Sequence, residues 1–152
     1  MMEPIKNFQD VRKYLAKIPN LHNGGCGISA LAMYRWHKKN TKRMRVRIAV
    51  GYASQSDFQL NSRFLAKERG LRPVAPRHAG IIWADRETGQ TMPIDARDFL
   101  DLAGFESMHI FRDEAPLLAM INRKYNWNQD FKRIYVARIA KRLDIDLSDV
   151  LV

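Results

Sequence analysis

One cysteine, four histidines and sixteen carboxylates are the residues of this 152-residue chain that could carry covalent chemistry. The cysteine stands in Gly24-Gly25-Cys26-Gly27, directly before an apolar run from Ile28 to Trp36. A thiol in the first turn of a helix meets unpaired backbone N–H groups and the positive end of the helix dipole, and both favour the thiolate. The glycines beside it permit backbone conformations and close approaches that a Cβ would block. Without support, a cysteine in a glycine turn is an ordinary small apolar residue. A nucleophile needs a base within hydrogen-bond reach and a third polar group to orient that base.

Three histidines follow Cys26. His37 lies about 16 Å along the same helix at 1.5 Å per residue, too far to serve. His109 sits in the apolar run Met108-His109-Ile110 and reads as a core or surface residue. His78 comes after Pro73 and Pro76 and opens a strand-type run, His78 to Ala84. Asp85-Arg86-Glu87-Thr88-Gly89 reads as a hairpin loop and residues 90–95 as the return strand. If Ala84 pairs with Gln90 or Gly89, Asp95 falls opposite His78 or one residue away, with Cβ atoms about 5 Å apart. Asp95 would then accept the imidazole N–H. Asp85, about 20 Å off at the loop end of the strand, would not reach. A slip of one residue would carry Asp95 to the other face. For an oxyanion, the backbone N–H of Cys26 is one donor. The second is sought among Asn20, Asn23 and His22, with Asn20 placed first.

The elements that must position these groups follow from periodicity. Phe8, Val11, Leu15 and Ile18 define a short amphipathic helix over 8–18, closed by Pro19. The helix from Cys26 is apolar on most sides, turns basic at its end and stops at Asn40 in a left-handed conformation. Met44, Val46, Ile48, Val50 and Tyr52 alternate with Arg45 and Arg47, which predicts a strand with one buried side. A helix is expected over 57–69, an extended lead-in over 71–77, and a short helix over 96–103. Pro93 suggests that the free side of the return strand is an edge or a bulge. Two further helices are expected, one bearing Leu117, Leu118, Ile121 and Tyr125, the other over 128–142.

Gly-Gly-Cys26-Gly at the head of an apolar helix, His78 opening a strand and Asp95 ending the next resemble the papain-like and transglutaminase-like cysteine enzymes, in particular compact bacterial and phage members. The resemblance covers residues 20–96 and implies an α+β fold, with a central Cys-bearing helix on a small antiparallel sheet and extra C-terminal helices. It implies a Cys26-His78-Asp95 triad that hydrolyses or transfers a peptide, isopeptide or related amide bond. The family's oxyanion glutamine, six residues before the cysteine, is replaced here by Asn20.

Length and composition are those of a single domain over residues 1–152, with 46% hydrophobic residues for a core. One cysteine excludes an internal disulfide framework and a cysteine-rich zinc site. His22, Cys26 and His78 match no metal-ligand spacing, and no cofactor is implied. With no signal-like run and no long apolar stretch, the expectation is a soluble cytoplasmic protein without a membrane partner. The net charge of +10 favours an acidic partner. Basic segments at 35–47 and 123–142 therefore define the competing reading, a non-catalytic module or pseudoenzyme engaging nucleic acid or a host protein. Residues 136–148 also resemble the first half of a helix-turn-helix.

Overall fold

The computed structural model describes residues 4–19, 25–41, 44–52, 78–85, 91–94, 107–122 and 129–151. Helix α1, Phe8–Ala16, begins on a capping box. The Asn7 side chain accepts from the Asp10 N–H at 3.0 Å, and the Asp10 carboxylate accepts from the N–H groups of Asn7 and Lys6. Phe8, Val11 and Leu15 are its buried stripe. The helix ends two residues earlier than its apolar spacing suggests, because Lys17 and Ile18 close it as a turn on the carbonyls of Tyr14 and Leu15.

Helix α2, Cys26–Asn40, has the bounds expected of it and is the centre of the fold. Every residue from Cys26 to Tyr34 is buried, and so are Trp36 and His37. Asn40 does not stop it in a left-handed conformation. The one non-glycine residue with positive φ among the described residues is Asp144. Instead the chain turns extended at Thr41, with φ −129°. The Asn40 amide donates to the Trp36 carbonyl, and the Thr41 hydroxyl donates to that of His37.

The sheet is antiparallel throughout, with strands β1 (Met44–Tyr52), β2 (His78–Asp85), β3 (Thr91–Ile94) and β4 (Ser107–Phe111) in the order β3-β2-β1-β4. Val46 and Ile48 are buried and Arg45 exposed, as the alternation of β1 requires. Pro93 lies on an edge strand, one of the few places in a sheet where a residue without an N–H is tolerated. The β2–β3 register differs from expectation: Ala84 pairs with Thr91, not with Gln90 or Gly89. The hairpin connection is therefore a residue or two longer than its polar residues suggest. Strand β4 is not among the elements that periodicity predicts. The predicted elements at 57–69, 71–77 and 96–103 lie outside the described residues.

Helix α3, Ala115–Ile121, carries Leu117 and Ile121 inward, while Tyr125 lies outside the described residues. Helix α4, Gln129–Leu143, is shifted by one residue from its expected bounds. It ends in a Schellman-type cap, with Asp144 at φ 53° and the Ile145 N–H returning to the Ala140 carbonyl at 3.0 Å. An irregular strap, residues 145–151, follows and buries Ile145, Leu147 and Val150. Among the described residues no helix follows α4, and residues 145–151 run as the irregular strap where the helix-turn-helix resemblance would continue. The fold is α+β. Helix α2 packs on β2 and β1 on one side and on α1, α3 and α4 on others. Ile28, Leu31, Ile48, Ile81, Leu117 and Ile139 are fully buried in the shared core. No helix among the described residues is long and apolar enough to cross a membrane.

Candidate active site

Cys26 is the first residue of α2 and only 4% exposed. Its N-cap, Gly25, has no side chain to occupy the first-turn N–H groups, and no acidic residue stands in that turn. The first intrahelical bond runs from the Ser29 N–H to the Gly25 carbonyl at 2.9 Å. The amides of Cys26, Gly27 and Ile28 are therefore the donors that a helix start leaves for an anion.

The path of the chain determines what lies near this end. From Cys26 to Asn40, α2 rises about 21 Å at 1.5 Å per residue. A three-residue link, 41–43, then leads into β1, which runs about 23 Å from Met44 to Gly51 at 3.3 Å per residue. Since α2 packs along β1, the strand must run back beside the helix, and Gly51 returns to the Cys26 end. Gly51 pairs with His78 in β2 and with Met108 in β4. The head of the cysteine helix and the first residue of β2 thus share one end of the layer. Asp85 pairs with Met44 at the opposite end, which removes it as a partner for His78.

Strand parity adds a condition. Position 78 is out of phase with Ile81, which is buried in the core shared with α2. Position 78 therefore stands on the face of the sheet opposite the one that Ile81 shares with α2. Position 109, set aside as a core or surface residue, pairs with Val50 at the same end and has the parity of Ile48. Asp95, Asn20, His22 and Asn23 lie outside the described residues.

His37, at the far end of α2, is a packing residue. Its ring lies 4.1 Å from that of Phe8 and 5.6 Å from that of Trp36, centroid to centroid. Nδ1 is 3.2 Å from the Thr41 hydroxyl oxygen. That hydroxyl spends its single proton on the His37 carbonyl, so it accepts from Nδ1–H and selects that tautomer. Burial pushes the imidazole down to about 4.

The basic segments are less available than their composition implies. Arg35 is bidentate to Glu114 at 2.9 and 2.8 Å and bidentate to Asp149 at 2.6 and 2.7 Å, and it donates to the Asp146 carbonyl. Lys39 pairs with Asp144. Lys38, Arg138 and Arg142 lie over the rings of Tyr34, Tyr135 and Tyr14. Lys132 is buried. Sequence reasoning missed the Arg35 cluster because its acidic partners come from the far end of the chain. Among the described residues, no group of three or more His, Cys, Asp or Glu side chains could hold a metal ion.

Compared with protein-family models, characterised proteins and solved structures, the chain matches none.

Proposed function

We propose that this protein is a cysteine hydrolase or acyltransferase of the papain-like or transglutaminase-like kind, acting on a peptide, isopeptide or related amide bond. What supports the reading is the path of the chain: Cys26 heads a buried helix that packs on β1, and the short link from that helix turns β1 back, so that Gly51, the partner of His78, runs toward the Cys26 end. In this mechanism the Cys26 thiolate adds to the amide carbonyl carbon. The oxyanion is held by the Cys26 N–H and a second donor, Asn20. His78, oriented by Asp95, protonates the departing amine as the C–N bond breaks. It then takes a proton from water, or from an acceptor amine, as that oxygen or nitrogen adds to the thioester carbon; the C–S bond breaks, the acyl group is released and the Cys26 thiolate is regenerated. The cytoplasm, where thiols stay reduced, is the compartment proposed for it.

The test is alkylation of Cys26 by iodoacetamide between pH 5 and 9 in the wild type and in His78→Ala, Asp95→Ala and His109→Ala. An activated thiolate reacts at pH 6 at least about tenfold faster than free cysteine, whose thiolate forms only around pH 8.5. That advantage should vanish in the first two variants and survive in the third. Ordinary free-thiol kinetics in the wild type would overturn the reading, and loss in His109→Ala alone would move the base to β4.

The alternative, a non-catalytic module or pseudoenzyme engaging nucleic acid or a host protein, draws on the exposed Lys38, Arg45, Arg133, Arg138 and Lys141. It predicts salt-sensitive binding of DNA or RNA together with an inert thiol.

A further inference from the structure

A slot of about 460 Å³ runs between α4 and the strap that follows it. On α4 it is lined by Lys132, Val136 and Ala140, spaced four apart, with Arg133 and Ala137 beside them. That stripe is about 12 Å long at 1.5 Å per residue. Ile145, Leu147 and Val150 wall the other side.

The slot is polar at its ends and, apart from Ser148 on the strap, aliphatic between them. The Ile145 N–H bonds the Ala140 carbonyl, whereas the Asp149 carbonyl and Leu151 N–H bond the Asn122 side chain, next to Ile121. The strap therefore runs back along α4 from Ala140 toward Lys132. Asp146, the one carboxylate lining the slot, belongs to the Ala140 end. Lys132 stands at the other end.

Lys132 is only 3% exposed. Its ammonium donates to the Ile121 carbonyl at 2.8 Å, its one partner among the described residues, and so closes the last turn of α3. An ammonium carries three donors. A buried cation with donors left over is costly unless an anion meets it. Between the ends the wall is Val136, Ala137, Ala140, Leu147 and Val150 with one polar side chain, Ser148, so it suits a hydrocarbon chain better than the N–H and C=O groups of a peptide.

We propose that this slot binds a straight-chain aliphatic carboxylate, with its head group on Lys132 and its chain along the Val136–Ala140 stripe. Burial lowers the Lys132 pKa from lysine's usual value, and a bound carboxylate opposes that shift. Affinity should fall at alkaline pH as the amine loses its proton.

Isothermal titration of the whole protein with octanoate, decanoate, decanol and decylamine tests this. Decanoate should bind about sixteenfold more tightly than octanoate, from about fourfold per buried methylene. Lys132→Met should weaken decanoate at least about tenfold, the loss of one charge-assisted contact. Because that variant also loses the bond to α3, Ala137→Trp provides a second arm. The position is exposed, so the indole should fill the slot and abolish binding while the circular dichroism spectrum is retained. No binding of decanoate at millimolar concentration would overturn the proposal. So would decanol or decylamine binding as well as decanoate, a short aliphatic peptide binding better, or an unaffected Ala137→Trp.

Discussion

The burial of His37 makes the stability of the whole fold depend on mildly acidic pH in a calculable way. In the folded protein its imidazole is pushed down to about 4 by burial against Phe8 and Trp36, from an ordinary value of 6.5. Above pH 6.5 both folded and unfolded chains hold it neutral, and it contributes no pH dependence. Between 6.5 and 4 the unfolded chain takes up a proton that the folded chain refuses, so stability falls as pH falls. A full separation of 2.5 units corresponds to about 3.4 kcal/mol, and by pH 5 about 2 kcal/mol of it has been lost. His37→Gln removes the titration and leaves an amide that can still donate to the Thr41 hydroxyl. Urea unfolding of both proteins at pH 7.5 and pH 5.0 isolates the effect, since the carboxylates are common to both. The wild type should lose about 2 kcal/mol more than the variant over that interval. Equal losses in the two proteins would show that His37 is not held neutral by its surroundings.

The remaining expectations concern the contacts that hold α2 and α1. Arg35→Ala leaves Glu114 and Asp149 facing each other without a cation and should cost about 2 kcal/mol in urea unfolding, a value kept low because both acids are partly exposed. Its coupling with Asp149→Asn in a double-mutant cycle should exceed about 0.5 kcal/mol. Asp149 is held below the usual carboxylate range chiefly by its hydrogen bonds from Arg35. Its stabilising contribution is therefore present above about pH 3.9 and is lost as pH falls through its lower folded value, a limb that Asp149→Asn should flatten. Asn7→Ala removes one half of the α1 capping box and should lower stability by about 1 kcal/mol, read as a shift in the urea midpoint at constant slope.

What the sequence revealed of this fold depended on how local the signal was. The bounds of α2 follow from Gly25 before it and the Asn40-Thr41 polar end after it, and β1 from strict alternation, both readable within one window. The hairpin register was misread because polar residues marked where the loop begins but not where pairing resumes, and a longer loop moves every partner along. Strand β4 escaped for a different reason. In Ser107-Met108-His109-Ile110-Phe111 only the first four residues alternate, too short a run to stand out alone, and its ladder is supplied by β1. The Arg35 cluster escaped likewise: a cation read beside Lys38 and Lys39 looks like a solvated basic face, whereas its partners are Glu114, just before α3, and Asp149 of the strap. Of the candidate site, Cys26 at a helix head and His78 at a strand head were legible as such. The side-chain arrangement was not, because it depends on long-range register.

The two ends of α2 are built in opposite ways. At its C-terminal end Arg35 is gripped by Glu114, Asp149 and the Asp146 carbonyl, and Lys39 by Asp144. These are basic residues at the negative end of a helix dipole, each met by an acid from a later part of the chain. His37 and Trp36 pack on α1 there as well. At the N-terminal end Gly25 supplies no side-chain cap and the first turn holds no carboxylate, so its amides are left for another acceptor. A helix optimised for stability alone would place Ser, Thr or Asp at that cap, which would be worth about 1 kcal/mol. Replacing Gly25 with such a residue puts an oxygen within reach of the amides that a Cys26 thiolate would use. Gly25→Asp should therefore raise the urea midpoint while slowing alkylation of Cys26 at pH 6. Faster or unchanged alkylation would mean that the open helix head does not serve the thiol.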